Sequence, residues 1–150
     1  FYNEASSLYP QHWTALIKKG IVLSSFGNVV QAEKHFRKAL NIFSDHSIAL
    51  FEMGNLMVHY GKFSQAKKFF IKAIRVNPSN SSIYRALGSI YIKRREFNKA
   101  EKIFSRALIL NPHEARTHLK LAELFLLTQQ NHKAKQHIAL ANKYGIPNSK

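Results

Sequence analysis

The sequence predicts an all-α fold, a right-handed superhelical solenoid of antiparallel helix hairpins. Three observations predict it. The chain aligns with itself at a shift of 34 residues without a gap. Each period carries two apolar stripes of helical spacing. Five of the six glycines and three of the four prolines fall in repeat columns.

Four columns define the period. Small residues recur at Gly20, Gly54, Gly88 and Ala122, and alanines at Ala32, Ala66, Ala100 and Ala134. A second alanine series runs through Ala39, Ala73, Ala107 and Ala141, and between the two lie Phe36, Phe70, Phe104 and Ile138. Four units follow, at 13–46, 47–80, 81–114 and 115–148, forming one domain.

In the first unit Gly20 lets two helices approach closely, and Gly27 supplies a turn residue that reaches positive φ easily. The second unit repeats this with Gly54 and Gly61, and Asn77-Pro78 stops its second helix because proline cannot continue one. In the third, Tyr84, Leu87 and Tyr91 form the stripe of a first helix, and Ala100, Phe104 and Ala107 the stripe of a second. Asn98 with Glu101 has the spacing of a capping box at the start of that second helix, and Asn111-Pro112 ends it. The fourth unit departs most. Its second helix places Ala139 and Leu140 in columns that are polar or basic elsewhere, and Gly145 reads as a stop. Such an apolar patch predicts self-association through the C-terminal repeat or docking of a further segment. At the other end Pro10, Ala5 and Tyr2 fall in register with Ser44, Ala39 and Phe36, so residues 1–12 read as the tail of a preceding repeat helix.

These columns resemble the tetratricopeptide (TPR) repeat pattern. Residues 81–114 carry it most fully, with Tyr84, Leu87, Gly88, Tyr91, Ala100, Phe104, Ala107 and Pro112; Lys19 stands where the first unit should have a leucine. The resemblance covers residues 13–148. It implies first helices lining a concave face, second helices forming a convex one, and a non-catalytic protein-interaction scaffold whose groove takes a partner peptide or helix.

Composition narrows the chemistry. There is no cysteine, so no disulfide, thiolate metal site or cysteine nucleophile exists in this sequence. The eight histidines include no His-Glu-x-x-His spacing, and the pairs His113/His118 and His132/His137 are each five apart, which on one helix points them away from each other. The eight acidic residues are dispersed, and no glycine-rich phosphate loop is left over. The sequence therefore predicts no enzyme, metal or cofactor site. The net charge of +15 predicts an anionic partner and salt-sensitive binding.

Positions on the first helices outside the intra-hairpin stripe are the predicted groove. They are Ile17 and Ile21 in the first unit, Phe51 and Asn55 in the second, Arg85, Ser89 and Lys93 in the third, and Arg116, Lys120 and Glu123 in the fourth. Their chemistry suits a protein partner with an acidic part near Arg85, Lys93, Arg116 and Lys120 and an apolar part near Phe51 and Ile21. Some TPR domains hold a terminal carboxylate with a five-residue Lys-Asn-Asn-Lys-Arg clamp. Here Asn55, Arg116 and Lys120 match it in type, but Phe51 and Ala86 occupy the other two places. A second surface, the ladder of Lys34, Lys68 and Lys102 beside Lys38, Lys72 and Arg106, offers an electrostatic adaptor for anionic lipid or nucleic acid as the alternative reading. No aromatics interleave with it, so nucleic acid and membrane are the less favoured partners. A further alternative is a docking module of a larger enzyme.

Overall fold

A computed structural model describes residues 10–145. It contains eight helices among them: α1 (Pro10–Ser25), α2 (Val29–Ile42), α3 (Ser47–His59), α4 (Phe63–Val76), α5 (Ser81–Lys93), α6 (Phe97–Leu110), α7 (Ala115–Leu127) and α8 (Asn131–Lys143). They fall into two compact units, Phe1–Pro78 and Ser79–Lys150. In the first, α1 packs on α2 and α3 on α4, and both α1 and α2 touch α3. In the second, α5 packs on α6 and α7 on α8, and both α5 and α6 touch α7.

Three of the four hairpins close through the same device. Phe36, Phe70 and Phe104 are wholly buried. Each lies across the glycine of its partner helix. A Cβ on Gly20 would meet the Phe36 ring at 2.6 Å, one on Gly54 the Phe70 ring at 2.4 Å, and one on Gly88 the Phe104 ring at 2.5 Å. The glycine costs about 1 kcal/mol of helix propensity, and burying the ring returns about 1.5–3 kcal/mol. Alanines one turn to either side of each ring are also fully buried, which lets the backbones close over it. In the last hairpin Ala122 replaces the glycine and Ile138 replaces the ring, and Ile138 is 38% exposed.

The turns inside the hairpins share one geometry. The residue in the left-handed region is Gly27 (φ 77°), Gly61 (φ 69°), Arg95 (φ 59°) or Gln129 (φ 61°). Around each, two reverse hydrogen bonds close the helix end: Gly61 N–H donates to Val58 O at 2.9 Å and Lys62 N–H to Met57 O at 2.8 Å, and Arg95 N–H donates to Ile92 O at 2.8 Å and Glu96 N–H to Tyr91 O at 2.9 Å. Glycine at the first two positions follows its sequence signal. Arg95 and Gln129 adopt the same φ without that freedom.

Other helix ends are held differently. Asn77 and Asn111 leave the helical region at the ends of α4 and α6, each donating its N–H to the alanine carbonyl four residues back, and a proline follows each. Asn28, His46 and Asn80 cap α2, α3 and α5, accepting from the backbone N–H of Gln31, Ala49 and Ser82. The capping box expected at Asn98 and Glu101 is not formed: Glu96 is the residue preceding α6, its side chain makes no cap bond, and Asn98 is exposed inside the first turn. Glu96 instead pairs with Arg94 at 2.7 Å and Lys99 at 2.6 Å. Those two cations outcompete the local backbone for its carboxylate.

At the N-terminus Pro10–His12 form the first turn of α1, so α1 begins before the expected boundary at residue 13. The expected helix tail over 1–9 and the end of the fourth repeat at 146–148 lie outside the described residues.

Candidate functional site

The predicted groove residues divide between the two units. In the first unit, Ile17 is only 4% exposed and belongs to the core; its β-branched side chain is drawn in by burial, so it is not a groove residue. Ile21 is on the surface at 39% exposure. Phe51 is half-buried, its ring 5.9 Å from that of Phe70. Asn55 donates from Nδ2 to Glu52 Oε2 at 3.4 Å, and burial raises the Glu52 carboxyl above its usual range despite that bond.

In the second unit the cationic positions do come together. Arg85, Arg116, Leu119, Lys120 and Glu123 line one cavity of about 520 Å³ on α5 and α7. Its charge is partly neutralised from within. The Arg85 guanidinium pairs with Glu114, and both side chains are mostly buried. The second Glu114 oxygen accepts from Thr117 Oγ1 at 2.7 Å. Lys120 Nζ reaches Glu123 Oε2 at 2.7 Å. Burial, and then neighbouring Arg116, push the Arg85 pKa down. The Glu114 carboxylate in contact acts the other way, and direct contact keeps Arg85 charged. Arg116 makes no ion pair with a described acidic residue. Its side chain is exposed. Ser89 is committed to the backbone, donating from Oγ to Arg85 O at 3.1 Å, and Lys93 is exposed at the end of α5.

The sequence carried no signal for Glu114 as a partner of Arg85. Glu114 is 29 positions from Arg85 and meets it only because α5 and α7 lie side by side. Glu123 is visible afterwards as an i,i+3 partner of Lys120.

A histidine pair was missed as well. His118 on α7 and His137 on α8 face one another, Nδ1 to Nδ1, at 2.9 Å. His118 is 4% exposed, and its Nε2 lies 3.0 Å from Pro112 O. A carbonyl only accepts, so His118 carries a proton on Nε2, and in the neutral ring its Nδ1 accepts from His137 Nδ1–H. Burial, then His118, lowers the His137 pKa, and Glu101 opposes the shift. Among the described residues no group of three or more His, Cys, Asp or Glu side chains could hold a metal ion.

On the second helices Lys34, Lys38, Lys68, Lys72, Lys102 and Arg106 are all exposed. Lys72 is tied down, 3.2 Å from Asp45 and 3.2 Å from Ser44 O. The C-terminal apolar patch is present in part: Ala139 is exposed and Leu140 half-buried beside Ile138. No described helix is long and apolar enough to cross a membrane.

The tetratricopeptide repeat family profile matches residues 51–115 and 86–134, together more than half of the chain. No curated protein matches the chain. Solved structures do. MamA is 17% identical with a TM-score of 0.79, over 95% of this chain and 84% of that one. PilF of Pseudomonas aeruginosa is 21% identical with a TM-score of 0.82, over 98% of this chain and 67% of that one. YrrB, described as a TPR protein with an unusual peptide-binding site, is 22% identical with a TM-score of 0.75, over 95% of this chain and 74% of that one. At these identities the likeness is one of fold.

Proposed function

The chain belongs to the tetratricopeptide repeat family, an all-α solenoid of helix hairpins used as a protein-interaction scaffold, and we propose that it recognises an acidic peptide or helix on its first-helix faces without catalysis. The observation that carries this is the 520 Å³ cavity on α5 and α7, where three cations meet two acids and Arg116 alone lacks an acidic partner among the described residues. An incoming carboxylate forms a charge-assisted pair with Arg116, and Leu119 offers an apolar wall beside it. Lys120 can exchange Glu123 for the ligand at small cost, because both are about 40% exposed and the pair is worth only about 0.2–1 kcal/mol. Arg85 stays with Glu114 and shapes the floor. The peptide-binding site of YrrB supports the general mode, since that protein shares the fold.

Affinity capture with the wild type and with Arg116→Glu tests the reading. Partners retained by the wild type should be lost or weakened about tenfold by the variant. Equal capture by both would remove the cavity from the binding surface. The exposed cations of α2, α4 and α6 support the second reading, an electrostatic adaptor; steeply salt-dependent binding to anionic vesicles or generic DNA, unchanged by Arg116→Glu, would favour it.

A further inference from the structure

The α7–α8 hairpin is joined differently from the other three. Phe36, Phe70 and Phe104 are wholly buried against Gly20, Gly54 and Gly88, whereas α8 brings Ile138, 38% exposed, to that place. Among the described residues of α8, Ala134 and Ala141 are the buried ones. What the hairpin has instead is the contact between His118 Nδ1 and His137 Nδ1 at 2.9 Å. The same two columns hold Leu16 and His35, Leu50 and Phe69, and Tyr84 and Ile103 in the other hairpins, so the pair occurs once.

The protons of this pair can be followed one at a time. His118 donates from Nε2 to Pro112 O, and its Nδ1 accepts from His137 Nδ1–H. The one ring nitrogen left open is His137 Nε2. A first added proton goes there and leaves the bond between the rings intact. A second has only His118 Nδ1 to go to, and that atom is the acceptor of the bond. Filling it sets N–H against N–H and places two cationic rings in contact, one of them 4% exposed.

We propose that the His118–His137 pair is an acid-operated latch: it holds α8 on α7 while it carries at most one extra proton, and the second proton releases α8 locally.

The surrounding charges set the direction. From α6, Glu101 favours the first proton on His137. Lys133 stands 5.1 Å over the Phe125 ring, which packs 5.4 Å from His137. Tyr144, after α8, packs against His118 at 5.6 Å and against His113 at 4.5 Å, with Lys143 at 5.8 Å over its own ring. On acidification His113 joins these lysines as a cation, and Glu101 is the one named anion opposing them. Burial, then His118, holds the His137 pKa down against Glu101. Stability from this group is therefore complete above its ordinary value of 6.5 and is lost as pH falls through the folded value. A helix that buries two alanines opens at low cost, so the loss appears first as release of α8.

The test is an amide and imidazole NMR titration of the ¹⁵N-labelled chain of residues 1–150, from about pH 7.5 to about pH 4.5. At the start the ring-nitrogen signals should show His118 protonated on Nε2 and His137 on Nδ1. Below pH 6.5, the ordinary histidine value, the native signals of Ala134 and Ala141 should disappear while those of Ala66 and Ala73 persist. The step should take up about two protons. His137→Phe, which copies Phe69, and His118→Leu, which copies Leu50, should each keep α8 in place to about pH 4.5. His46→Asn, which copies Asn80, should leave the step unchanged. Protonation of both rings on Nε2 at the start would overturn the proposal, since the shared bond would then not exist. So would loss of all four alanine signals together, persistence of α8 to the end of the titration, or an unaltered step in both pair variants. Removal of the step by His46→Asn would move the acid sensitivity to the other unit and would equally overturn it.

Discussion

The two units build the same hairpin from different residues. In the first, both turns use glycine in the left-handed region and both rings lie on glycine. In the second, Arg95 and Gln129 hold that φ, and the last hairpin swaps glycine and phenylalanine for Ala122 and Ile138. The turn is dictated by its two reverse hydrogen bonds, which close around all four residues alike. The side chain at that position sets the strain and not the shape. The ring contact behaves in the opposite way: there the two partners change together, since a Cβ fits only where the ring has gone.

That contrast can be broken by mutation. The largest effect should come from Phe70→Ala or Phe104→Ala, which remove a wholly buried ring at about 3–5 kcal/mol; Ile138→Ala, at a position 38% exposed, should cost far less. Urea titration would measure both, and similar losses at the two sites would erase the distinction. Next is Gly54→Ala, whose Cβ would sit 2.4 Å from the Phe70 ring. It should cost about 1–3 kcal/mol through overpacking. Combining it with Phe70→Ile recreates the Ala122–Ile138 pair, so the double variant should be more stable than the sum of the single losses predicts. Strict additivity would show that the two columns do not communicate.

The turns should give smaller changes. Gly61→Ala places a Cβ at φ 69° and should destabilise by about 1 kcal/mol, whereas Arg95→Gly relieves strain and should stabilise by a few tenths, less the entropy glycine adds to the unfolded chain. Equal and opposite shifts in Tm would argue that only φ matters.

The smallest effect separates the units by pH. His137 has a depressed pKa in the folded state, so the unfolded chain binds its proton first on acidification. Stability from this group is full above pH 6.5, its ordinary value, and is lost as pH falls through the folded value. His137→Phe, which copies Phe69 of the first unit, should flatten that slope in thermal melts between pH 7 and 5. An unchanged slope would assign the acid sensitivity to other groups, such as His46, which burial shifts the same way.

The sequence made the hairpins legible because their locks are local and periodic. Gly20, Gly54 and Gly88 announce close helix approach, and the alanine columns announce the buried stripe. Helix ends were read well where proline or glycine marks them, and poorly at α6, where Glu96 and its two basic neighbours leave no periodic trace. Arg95 and Gln129 were invisible as turn residues because their side chains say nothing about positive φ. The candidate site was read less well. Column position grouped Arg85, Arg116 and Lys120, and all three line one cavity. The same rule misplaced Ile17, since it takes no account of how apolar the occupant of a column is. It also missed every partner that arrives from another helix, including Glu114 for Arg85 and His137 for His118.

The ring-on-glycine contact closes within a single hairpin in three of the four repeats. Gene duplication or loss in whole multiples of 34 residues would therefore lengthen or shorten the chain while leaving each remaining ring-on-glycine contact intact. An excision of half that length would strand a phenylalanine from its glycine on either side of the cut. Tolerance to indels should thus be periodic along this polypeptide, and evolution is free to tune its reach in hairpin-sized steps.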